Sequence, residues 1–394
     1  MSAIILSACR TAIGSFGGTL KDLTAPQLGA VVVREAVARA GVAPEDVQDV
    51  LLGCVLQAGA GMNVARQAAT AAGLPVTVPA ETVNRVCGSG LSAVMHAAAA
   101  IAAGSSEVVV AGGTESMSNA AYVLKGARWG YRMGHGELLD TMVAEGLTCA
   151  LEQCHMGNTA EAVAARYGIT REEQDAFAAE SQRRALAAID AGWFADEIVP
   201  VEVPQRKGAP LTFDRDEFPR PGTTVEKLAA LKPAFQKDGT VTAGNASGIN
   251  DGAAALMVTS DAVAATRGLN PIARIVSYAI AGVEPRYMGL GPVPAVRQAL
   301  SRARIAPDAV DVFELNEAFA AQALAVTRDL GLPDDAPNVN PNGGAIAIGH
   351  PLGASGARMV TTAMYQLLAK KGRLALCTMC IGVGQGISVV IERC

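Results

Sequence analysis

The chain has 394 residues, of which 50% are apolar and 18% are charged, and this composition excludes a disordered protein. Its formal net charge of −5 argues against general nucleic-acid binding, which needs a basic surface, although a few local arginines suffice for a small anion. The length predicts about two or three domains with a well-buried core.

The cysteines and the ends of the chain bear on where the protein works. The eight cysteines are scattered, so a disulfide framework is not expected and a reducing compartment is favoured. Residues 1–9 lack the basic and apolar regions of a signal peptide, residues 91–103 are too short to span a bilayer, and residues 391–394 match no peroxisomal or prenylation signal. We therefore expect a cytoplasmic protein that does not bind membranes.

Strands and helices alternate along the first part of the chain. The predicted elements are a strand at 3–7, a helix at 25–40, a strand at 50–55, a helix at 65–72, a helix at 91–103 and a strand at 108–111. Thr24 with Gln27 three residues later forms a capping box for the first helix, and Gly41 ends it. This alternation predicts a mostly parallel sheet with helices packed against it.

Residues 118–244 differ in composition from the rest of the chain. They contain most of the charged runs, both tryptophans and several prolines. Thr170 with Glu173 forms a capping box for a polar helix that ends before Gly192, and residues 204–220 are predicted to be an exposed loop. We interpret this region as an insertion that covers the sheet core and contacts substrate.

The alternation resumes after residue 244. Strands are predicted at 253–259, 273–278, 311–315, 373–378 and 387–391, and helices at 295–303, at 318–330 and after Pro351. Residues 84–113 and 349–380 share the order of a glycine-rich turn, a helix and an apolar strand, which indicates an internal duplication. Because the helix at 91–103 is apolar on every side, we expect it to lie buried between two sheets.

Cys87 is a candidate nucleophile. It lies where a strand gives way to Gly88-Ser89-Gly90 and then to the apolar helix. A helix N-terminus stabilises a thiolate through its unpaired N–H groups and its dipole, and the glycines leave room for a substrate. The alternative interpretation is a small core residue, which is common for a cysteine among alanines.

Three further segments carry polar residues in unusual settings: 316–319, 342–356 and 380–386. Gly349 and Pro351 flank His350 within a glycine-rich run, which favours a positioned imidazole, whereas His96 is expected in a helix and His135 at the surface. Asn316 follows a predicted strand and could instead be a helix cap.

Two alternative interpretations concern the last of these segments. Cys377 and Cys380 have redox-type spacing, but a four-cysteine zinc site would need a second such pair, so no metal is expected. The glycines at 382, 384 and 386 precede a strand and have the wrong spacing for a dinucleotide-binding turn.

Together these segments resemble the thiolase family over essentially the whole chain. The motifs are Asn84-x-x-Cys87-x-Ser89-Gly90, Asn316-Glu317-Ala318-Phe319, Gly349-His350-Pro351-x-Gly353-x-Ser355-Gly356 and Cys380-x-Gly382-x-Gly384-x-Gly386. The resemblance implies an α/β fold of two pseudo-duplicated βαβ halves in a layered α/β/α/β/α core. The expected domains are an N-terminal half at 1–117 completed by 245–268, an inserted loop domain at 118–244 that binds coenzyme A (CoA), and a C-terminal half at 269–394.

The resemblance also implies acyl transfer between CoA thioesters through an acyl-cysteine, by a ping-pong mechanism. Cys87 would be the nucleophile, His350 its base, and Cys380 the base for the carbon next to a thioester carbonyl. Asn316 would hold a water that stabilises the enolate with His350, and the N–H groups of Cys87 and Gly382 would stabilise the tetrahedral intermediate. The direction, condensation of two acetyl-CoA or thiolysis of a 3-ketoacyl-CoA, stays open, as does the acyl-chain length.

By the same resemblance, nine residues would contact CoA or line the acyl tunnel. They are Leu147, His155, Met156, Arg220, Ser247, Phe235, Met288, Ala318 and Phe319. CoA would be a substrate and product rather than a tightly bound cofactor, and acyl-CoA would be the partner molecule. The family is usually dimeric or tetrameric, so we expect a homo-oligomer, with residues 131–140 as a candidate for tetramer contacts.

Three rival functions remain at this point. A decarboxylating ketoacyl synthase shares the implied fold, but such enzymes pair the nucleophile with two histidines or with a histidine and an asparagine, and Cys380 speaks against that. A non-catalytic lipid-binding relative would not need all four polar groups. A thiol redox protein would use Cys377 and Cys380 as a disulfide pair.

Overall fold

The computed structural model describes residues 2–394, and most of the chain is organised around one large sheet. The strands are β1 (Ala3–Thr11), β2 (Gly14–Ser15), β3 (Asp49–Gly53), β4 (Ala80–Val83), β5 (Val108–Ser116), β6 (Tyr122–Leu124), β7 (Leu138–Asp140), β8 (Thr148–Cys149), β9 (Cys154–His155), β10 (Ile198–Val199), β11 (Val201–Val203), β12 (Leu211–Phe213), β13 (Asn250–Ser260), β14 (Ala273–Gly282), β15 (Val312–Leu315), β16 (Leu374–Ile381) and β17 (Gln385–Arg393). The helices are α1 (Ala25–Ala40), α2 (Val64–Ala71), α3 (Ser89–Ala103), α4 (Met156–Tyr167), α5 (Arg171–Asp190), α6 (Val225–Ala229), α7 (Asp261–Arg267), α8 (Pro292–Ala303), α9 (Ala320–Asp329), α10 (Ala345–Ile348) and α11 (Ser355–Lys370).

The sheet is mixed, so the predicted mostly parallel sheet is wrong. Its strand order is β15-β16-β17-β14-β1-β13-β5-β3-β4, with β10 beside β1 and β2 beside β13. Pairing along this path is parallel only for β15 with β16, β3 with β4 and β3 with β5. The short turn between β16 and β17 can join only antiparallel neighbours, and alternation along the chain carries no information on strands that meet from distant segments.

Two central helices separate the halves of the sheet. Helices α3 and α11 pack on each other between the halves, and Leu91, Val94 and Ile101 of α3 are fully buried there. Helices α1 and α2 cover the outer face of the first half, and α8 and α9 cover that of the second. The layered α/β/α/β/α core and the buried helix are therefore confirmed.

The window Val86–Ala103 is long and apolar enough, by length and composition alone, to cross a membrane. This corrects the expectation that the apolar stretch is too short. In the fold, 56% of the window is buried inside the protein, where its helical part is the core helix α3. Burial in a core accounts for its apolar composition.

The predicted helix caps are confirmed. Gln27 Oε1 accepts a hydrogen bond from Thr24 N at 2.8 Å, and Gly41 ends α1 in the left-handed conformation with φ 64°. Thr170 and Glu173 hydrogen-bond reciprocally at the start of α5, at 2.7 and 3.2 Å. These ends depend on neighbours within a few residues, which is why the sequence reveals them.

Residues 204–220 are only partly the expected exposed loop. Strand β12 lies within them and pairs with β11. Asp216 is buried and accepts two hydrogen bonds from the guanidinium of Arg10, at 2.7 and 2.9 Å, while Glu197 accepts a third at 2.6 Å. Glu197 and Asp216 belong to the region 118–244, so their ion pairs with Arg10 of β1 attach this region to the sheet.

Candidate active site

A strained turn presents Cys87 at the start of α3. Val86 has φ 46°, a left-handed conformation that is unfavourable for a β-branched residue. Asn84 Oδ1 accepts a hydrogen bond from Val86 N at 2.9 Å. Ser89 Oγ accepts one from Arg85 N at 2.8 Å and donates one to Val86 O at 2.6 Å. The polar residues of the first motif therefore hold the backbone that aims the thiol.

The thiol of Cys87 does not have the lowered pKa that its place before a helix predicts. Burial raises the pKa to about 11, and the N–H of Gly382 opposes this only in part. The N–H groups of Gly88 and Ser89 already donate to carbonyl oxygens of the preceding turn, at 3.0 Å each. Because desolvation outweighs the backbone N–H groups that lower the pKa, Cys87 is protonated at neutral pH and needs a base.

His350 has the geometry of that base. Its Nδ1 lies 2.6 Å from Ser355 Oγ, whose hydroxyl donates to Pro351 O at 2.9 Å. Ser355 Oγ therefore accepts a hydrogen bond from Nδ1–H, a tautomer assigned from the bonding pattern, and Nε2 keeps its lone pair. Burial, with a smaller effect of Arg358, lowers the pKa of His350 to about 3, so the ring is neutral at pH 7.

Asn316 lies beside this imidazole. Its Nδ2 is 3.5 Å from His350 Nε2, and its side chain is fully buried. Within residues 2–394, no group hydrogen-bonds to Asn316 Oδ1. The helix-cap alternative is wrong, because α9 starts at Ala320 and Phe319 occupies the cap position. An unpaired buried amide oxygen is suited to hold a water or a polar substrate atom.

Cys380 and Cys377 lie on β16, three residues apart. Successive side chains of a strand point to opposite faces, so these two thiols point apart. Cys377 packs in the core between the sheet halves, and Cys380 packs with Met156 and Phe319. The redox-pair interpretation is therefore wrong. Burial, and to a smaller extent Cys87, raise the pKa of Cys380. A Cβ at Gly382 would lie 3.5 Å from Val86, so the turn after β16 packs against the turn that carries Cys87.

A cavity of about 680 Å³ reaches His350 from the surface. Eight of the predicted site residues line it: Leu147, His155, Met156, Arg220, Phe235, Ser247, Phe319 and His350. Met288 and Ala318 instead pack with Cys380 in an apolar cluster behind Phe319. Cys87, Cys380, Asn316 and Gly382 do not line this cavity. Cys87 packs against an apolar cluster that contains Leu352 and Met117, and these two residues do line the cavity.

Aromatic rings form one wall of the cavity. His155 and Phe235 stack with centroids 4.7 Å apart, and Phe319 meets Phe235 edge-on at 6.1 Å. A side chain at Gly157 would clash with the ring of Phe235, which explains a glycine in the first turn of α4. At the mouth, the exposed Arg220 lies over the ring of Phe218 at 5.0 Å. The cavity thus extends from the guanidinium of Arg220 at its mouth, along the aromatic wall, to the imidazole of His350.

No role was predicted for two residues that hold the His350 loop. Asn250 Oδ1 accepts a hydrogen bond from His350 N at 2.9 Å, and Glu115 Oε2 accepts one from Gly353 N at 2.8 Å. Both lie far from His350 in the chain. The available signals were an isolated carboxylate in the apolar strand around 108–116 and an asparagine at the start of an apolar strand.

No group of three or more His, Cys, Asp or Glu side chains among residues 2–394 is placed to hold a metal ion. His96 is partly exposed on α3, and His135 is exposed.

Comparison with known proteins places this geometry in a family. Models of the thiolase N-terminal and C-terminal domains match residues 3–262 and 269–393. The chain belongs to the thiolase family. It is 57% identical over 390 residues to the acetyl-CoA acetyltransferase of Cupriavidus necator, which covers 99% of both chains. The acetyl-CoA acetyltransferase of Pseudomonas aeruginosa is also 57% identical over 390 residues, with the same coverage of both chains.

Solved thiolase structures share the fold of this thiolase. The crystal structure of the Bacillus anthracis acetyl-CoA acetyltransferase superposes with a TM-score of 0.97 at 46% identity, covering 100% of this chain and 99% of the other. Human mitochondrial 3-ketoacyl-CoA thiolase gives a TM-score of 0.96 at 43% identity, covering 100% and 98%. The resemblance drawn from the motifs is therefore confirmed over the full length.

Proposed function

We propose that this thiolase-family acyltransferase moves acetyl groups between CoA thioesters, with Cys87 as the acyl carrier in a ping-pong mechanism. Condensation would join two acetyl-CoA molecules into acetoacetyl-CoA and CoA, and thiolysis is the same reaction in reverse. The supporting observation is the tautomer of His350, which lines the cavity and whose unprotonated Nε2 lies beside the buried Asn316. The relatives named as acetyl-CoA acetyltransferases support acetyl as the transferred acyl group.

The first half-reaction needs a nucleophile that is also a good leaving group, and a thiolate meets both demands. In the proposed step, His350 Nε2 takes the proton of Cys87 as the sulfur attacks the thioester carbonyl, and later returns a proton to the departing CoA thiolate. This role follows from the raised pKa of Cys87, because a protonated thiol requires a base. The N–H groups of Cys87 and Gly382 would stabilise the tetrahedral oxyanion.

The second half-reaction needs a base on the other side of the substrate. Cys380, as its thiolate, is proposed to remove a proton from the methyl carbon of the second acetyl-CoA. The enolate then attacks the carbonyl carbon of the acetyl group on Cys87 and expels the Cys87 thiolate. His350 and a water held by Asn316 Oδ1 are proposed to stabilise the enolate oxygen. Losing one such donor typically costs about 3–4 kcal/mol of barrier.

CoA itself is proposed to enter as a substrate through the aromatic cavity. Arg220 at the mouth carries the positive charge suited to the nucleotide phosphates, and His155, Phe235 and Phe319 offer an apolar wall to the pantetheine arm. Ser247, Leu147 and Met156 complete the expected contacts along the cavity. Met288 and Ala318 are proposed to shape the acyl end from behind Phe319.

The decisive experiment separates the two cysteines. Incubation with acetyl-CoA followed by peptide mass mapping is expected to show one acetyl group on Cys87. Cys87→Ala should abolish this acetylation, whereas Cys380→Ser should still be acetylated but form no acetoacetyl-CoA. Cys394→Ser is the control, because Cys394 is exposed at the far end of the chain. Acetylation that survives in Cys87→Ala would contradict the assignment.

The acyl-chain preference is tested separately. Thiolysis rates for 3-ketoacyl-CoA substrates of increasing chain length should fall beyond acetoacetyl-CoA if the enzyme is specific for acetyl transfer. Equal rates for longer chains would instead support a broad 3-ketoacyl-CoA thiolase.

We also propose that the chain forms a homo-oligomer in the cytoplasm. The arm formed by β6, β7 and the residues between them exposes Trp129 to 87%, Met133 to 97% and Leu138 to 64%, and exposed apolar arms of this kind favour association. Deleting residues 131–140 should halve the molar mass measured by light scattering if the arm joins two dimers. An unchanged mass would assign the association to another surface.

We also propose a division of the chain into two core halves and an inserted region. Residues 1–117 with 245–268, and 269–394, form the two core halves, and 118–244 form the CoA-binding region. The ends of the two family models at residues 262 and 269 support a boundary between the core halves in that interval.

A further inference from the structure

The hairpin formed by β8 and β9 brings together two cysteines that take no part in the proposed acyl transfer. Cys149 pairs with Cys154, and Thr148 pairs with His155, in antiparallel register. Directly opposed residues have their Cα atoms about 4.5–5.5 Å apart and their side chains on the same face. A disulfide accepts Cα separations of about 4.4–6.8 Å. The backbone register is therefore compatible with a bond between these two sulfurs without a change of pairing.

The two thiols differ in access. Cys149 is 1% exposed and packs in the apolar cluster with Met156 and Phe319, where its sulfur accepts a hydrogen bond from Glu152 N at 3.4 Å. Cys154 is partly exposed and lines an open cleft of about 660 Å³ together with Arg286. A small molecule in the cleft can therefore reach Cys154 first, with Cys149 behind it.

The groups around Cys154 have opposite effects on the pKa of its thiol. Burial, Cys149 and Glu152 raise the pKa of its thiol, and Arg286 lowers it. The guanidinium is thus the group that favours attack by Cys154 as a thiolate.

The remaining cysteines do not offer a comparable pair outside the reaction centre. Cys9 and Cys54 are buried and hydrogen-bond to Val32 O and Glu115, and Cys377 is buried in the core. Cys394 is exposed at the end of the chain. Cys87 and Cys380 are close to each other, but both belong to the proposed chemistry.

We propose that Cys149 and Cys154 form a thiol–disulfide exchange site that a low-molecular-weight disulfide oxidises. The Cys154 thiolate attacks one sulfur of the disulfide RSSR, which forms a mixed disulfide and expels RS⁻. Cys149, after losing its proton, then attacks the Cys154 sulfur and expels the second RS⁻. The two RS⁻ take up the two protons, so two protein thiols are oxidised and RSSR is reduced to two RSH.

The disulfide between Cys149 and Cys154 would fix part of the cavity wall. Leu147 precedes β8 and His155 ends β9, and both line the cavity that reaches His350. A bond between Cys149 and Cys154 ties these two segments together covalently while leaving Cys87 and Cys380 free. The site is thus a modification next to the reaction centre that does not consume either of its thiols.

The test uses the position of Glu152 between the two cysteines. The full-length protein is incubated with oxidised glutathione, its free thiols are blocked with N-ethylmaleimide, and the denatured chain is cut after glutamate. Residues 146–152 and 153–161 are then separate peptides unless a disulfide joins them. We expect the joined pair, its separation on reduction, and a fall in free thiols from eight to six per chain.

Variants and outcomes make the result specific. Cys154→Ser is expected to prevent the joined peptide, and the matched variant Cys394→Ser is expected to leave it unchanged. Acetylation of Cys87 by acetyl-CoA is measured in parallel and should persist in the oxidised protein. A stable glutathione adduct on Cys154 without the joined peptide, or a disulfide between Cys87 and Cys380 in its place, would overturn the proposal.

Discussion

One hydroxyl group decides which nitrogen of His350 carries the proton. Ser355 Oγ donates to Pro351 O and can therefore only accept from His350 Nδ1. This leaves Nε2 as the acceptor that faces Asn316 and the proposed chemistry. At the scale of single residues, the site depends less on charge than on the choice between two neutral forms of one ring, as expected for a buried imidazole.

Ser355→Ala should therefore impair catalysis more than folding. Without the hydroxyl, Nδ1–H is a buried donor with no acceptor, which costs about 1–3 kcal/mol, and the other tautomer gains population. If this cost falls on the transition state, kcat for acetoacetyl-CoA thiolysis drops about 10- to 100-fold. The imidazole nitrogen chemical shifts measured by NMR should report the change of tautomer.

Ser92 provides the matched control for this experiment. It is also a fully buried serine, but within residues 2–394 nothing hydrogen-bonds to its hydroxyl. Ser92→Ala should leave both kcat and stability nearly unchanged. Equal losses in the two variants would assign the effect of Ser355→Ala to packing alone.

His350 should also make the fold sensitive to acid. Its pKa is about 3 in the folded chain against 6.5 for the unperturbed group, so between these values the unfolded chain binds a proton that the folded chain does not. The contribution to stability is complete above pH 6.5 and is lost as the pH falls, by about 2 kcal/mol at pH 5.

The measurement is urea unfolding at pH 7.5 and pH 5. His350→Asn should lose about 2 kcal/mol less than the natural chain over this interval, since Asn does not titrate. His135→Asn, at an exposed position, is the control and should behave like the natural chain. The same acid sensitivity in His350→Asn and in the natural chain would show that other groups cause it.

At the scale of elements, the turn before α3 matters more than the helix itself. The helix N-terminus was expected to activate Cys87, but the first N–H groups bond within the turn and burial dominates the pKa of the thiol. What the turn supplies is position, through the side chains of Asn84 and Ser89 acting on a left-handed Val86. A residue held in such a conformation persists only where its surroundings fix it.

Ser89→Ala tests the role of the turn. The change removes the acceptor of Arg85 N and one of the two donors to Val86 O, whose other donor is Ser89 N, and each part-buried hydrogen bond lost costs about 0.5–1.5 kcal/mol of unfolding free energy. We expect a lower urea midpoint together with slower acetylation of Cys87. Ser105→Ala, at the exposed opposite end of α3, should change neither. Slow acetylation without any loss of stability would point instead to a direct role of Ser89 in the chemistry.

At the scale of the whole molecule, the sequence predicts what depends on near neighbours. The capped helices α1 and α5 and the apolar helix α3 are recovered because capping and periodicity act within one helix. The sequence does not predict the relative direction of the strands, because β13 and β14 pair with β1 from more than two hundred residues away. Asn250 and Glu115 were missed for the same reason, since only the fold brings them to the His350 loop.

The same long-range assembly makes Arg10 a critical residue for stability. Its guanidinium is fully buried and binds Glu197 at 2.6 Å and Asp216 at 2.7 Å, which joins β1 to the region that covers the cavity. Removing the cation leaves two buried carboxylates without their partner. Arg10→Met should therefore cost about 3–5 kcal/mol of unfolding free energy, measured by urea denaturation.

An exposed pair of the same type sets the scale for this prediction. Arg183 binds Glu180 at 2.7 Å, but its side chain is 67% exposed, and such surface pairs contribute about 0–1 kcal/mol. Arg183→Met is therefore expected to be nearly neutral. If Arg10→Met cost no more than this control, the buried network would not be what anchors residues 118–244, and other contacts such as the β10–β1 pairing would hold them.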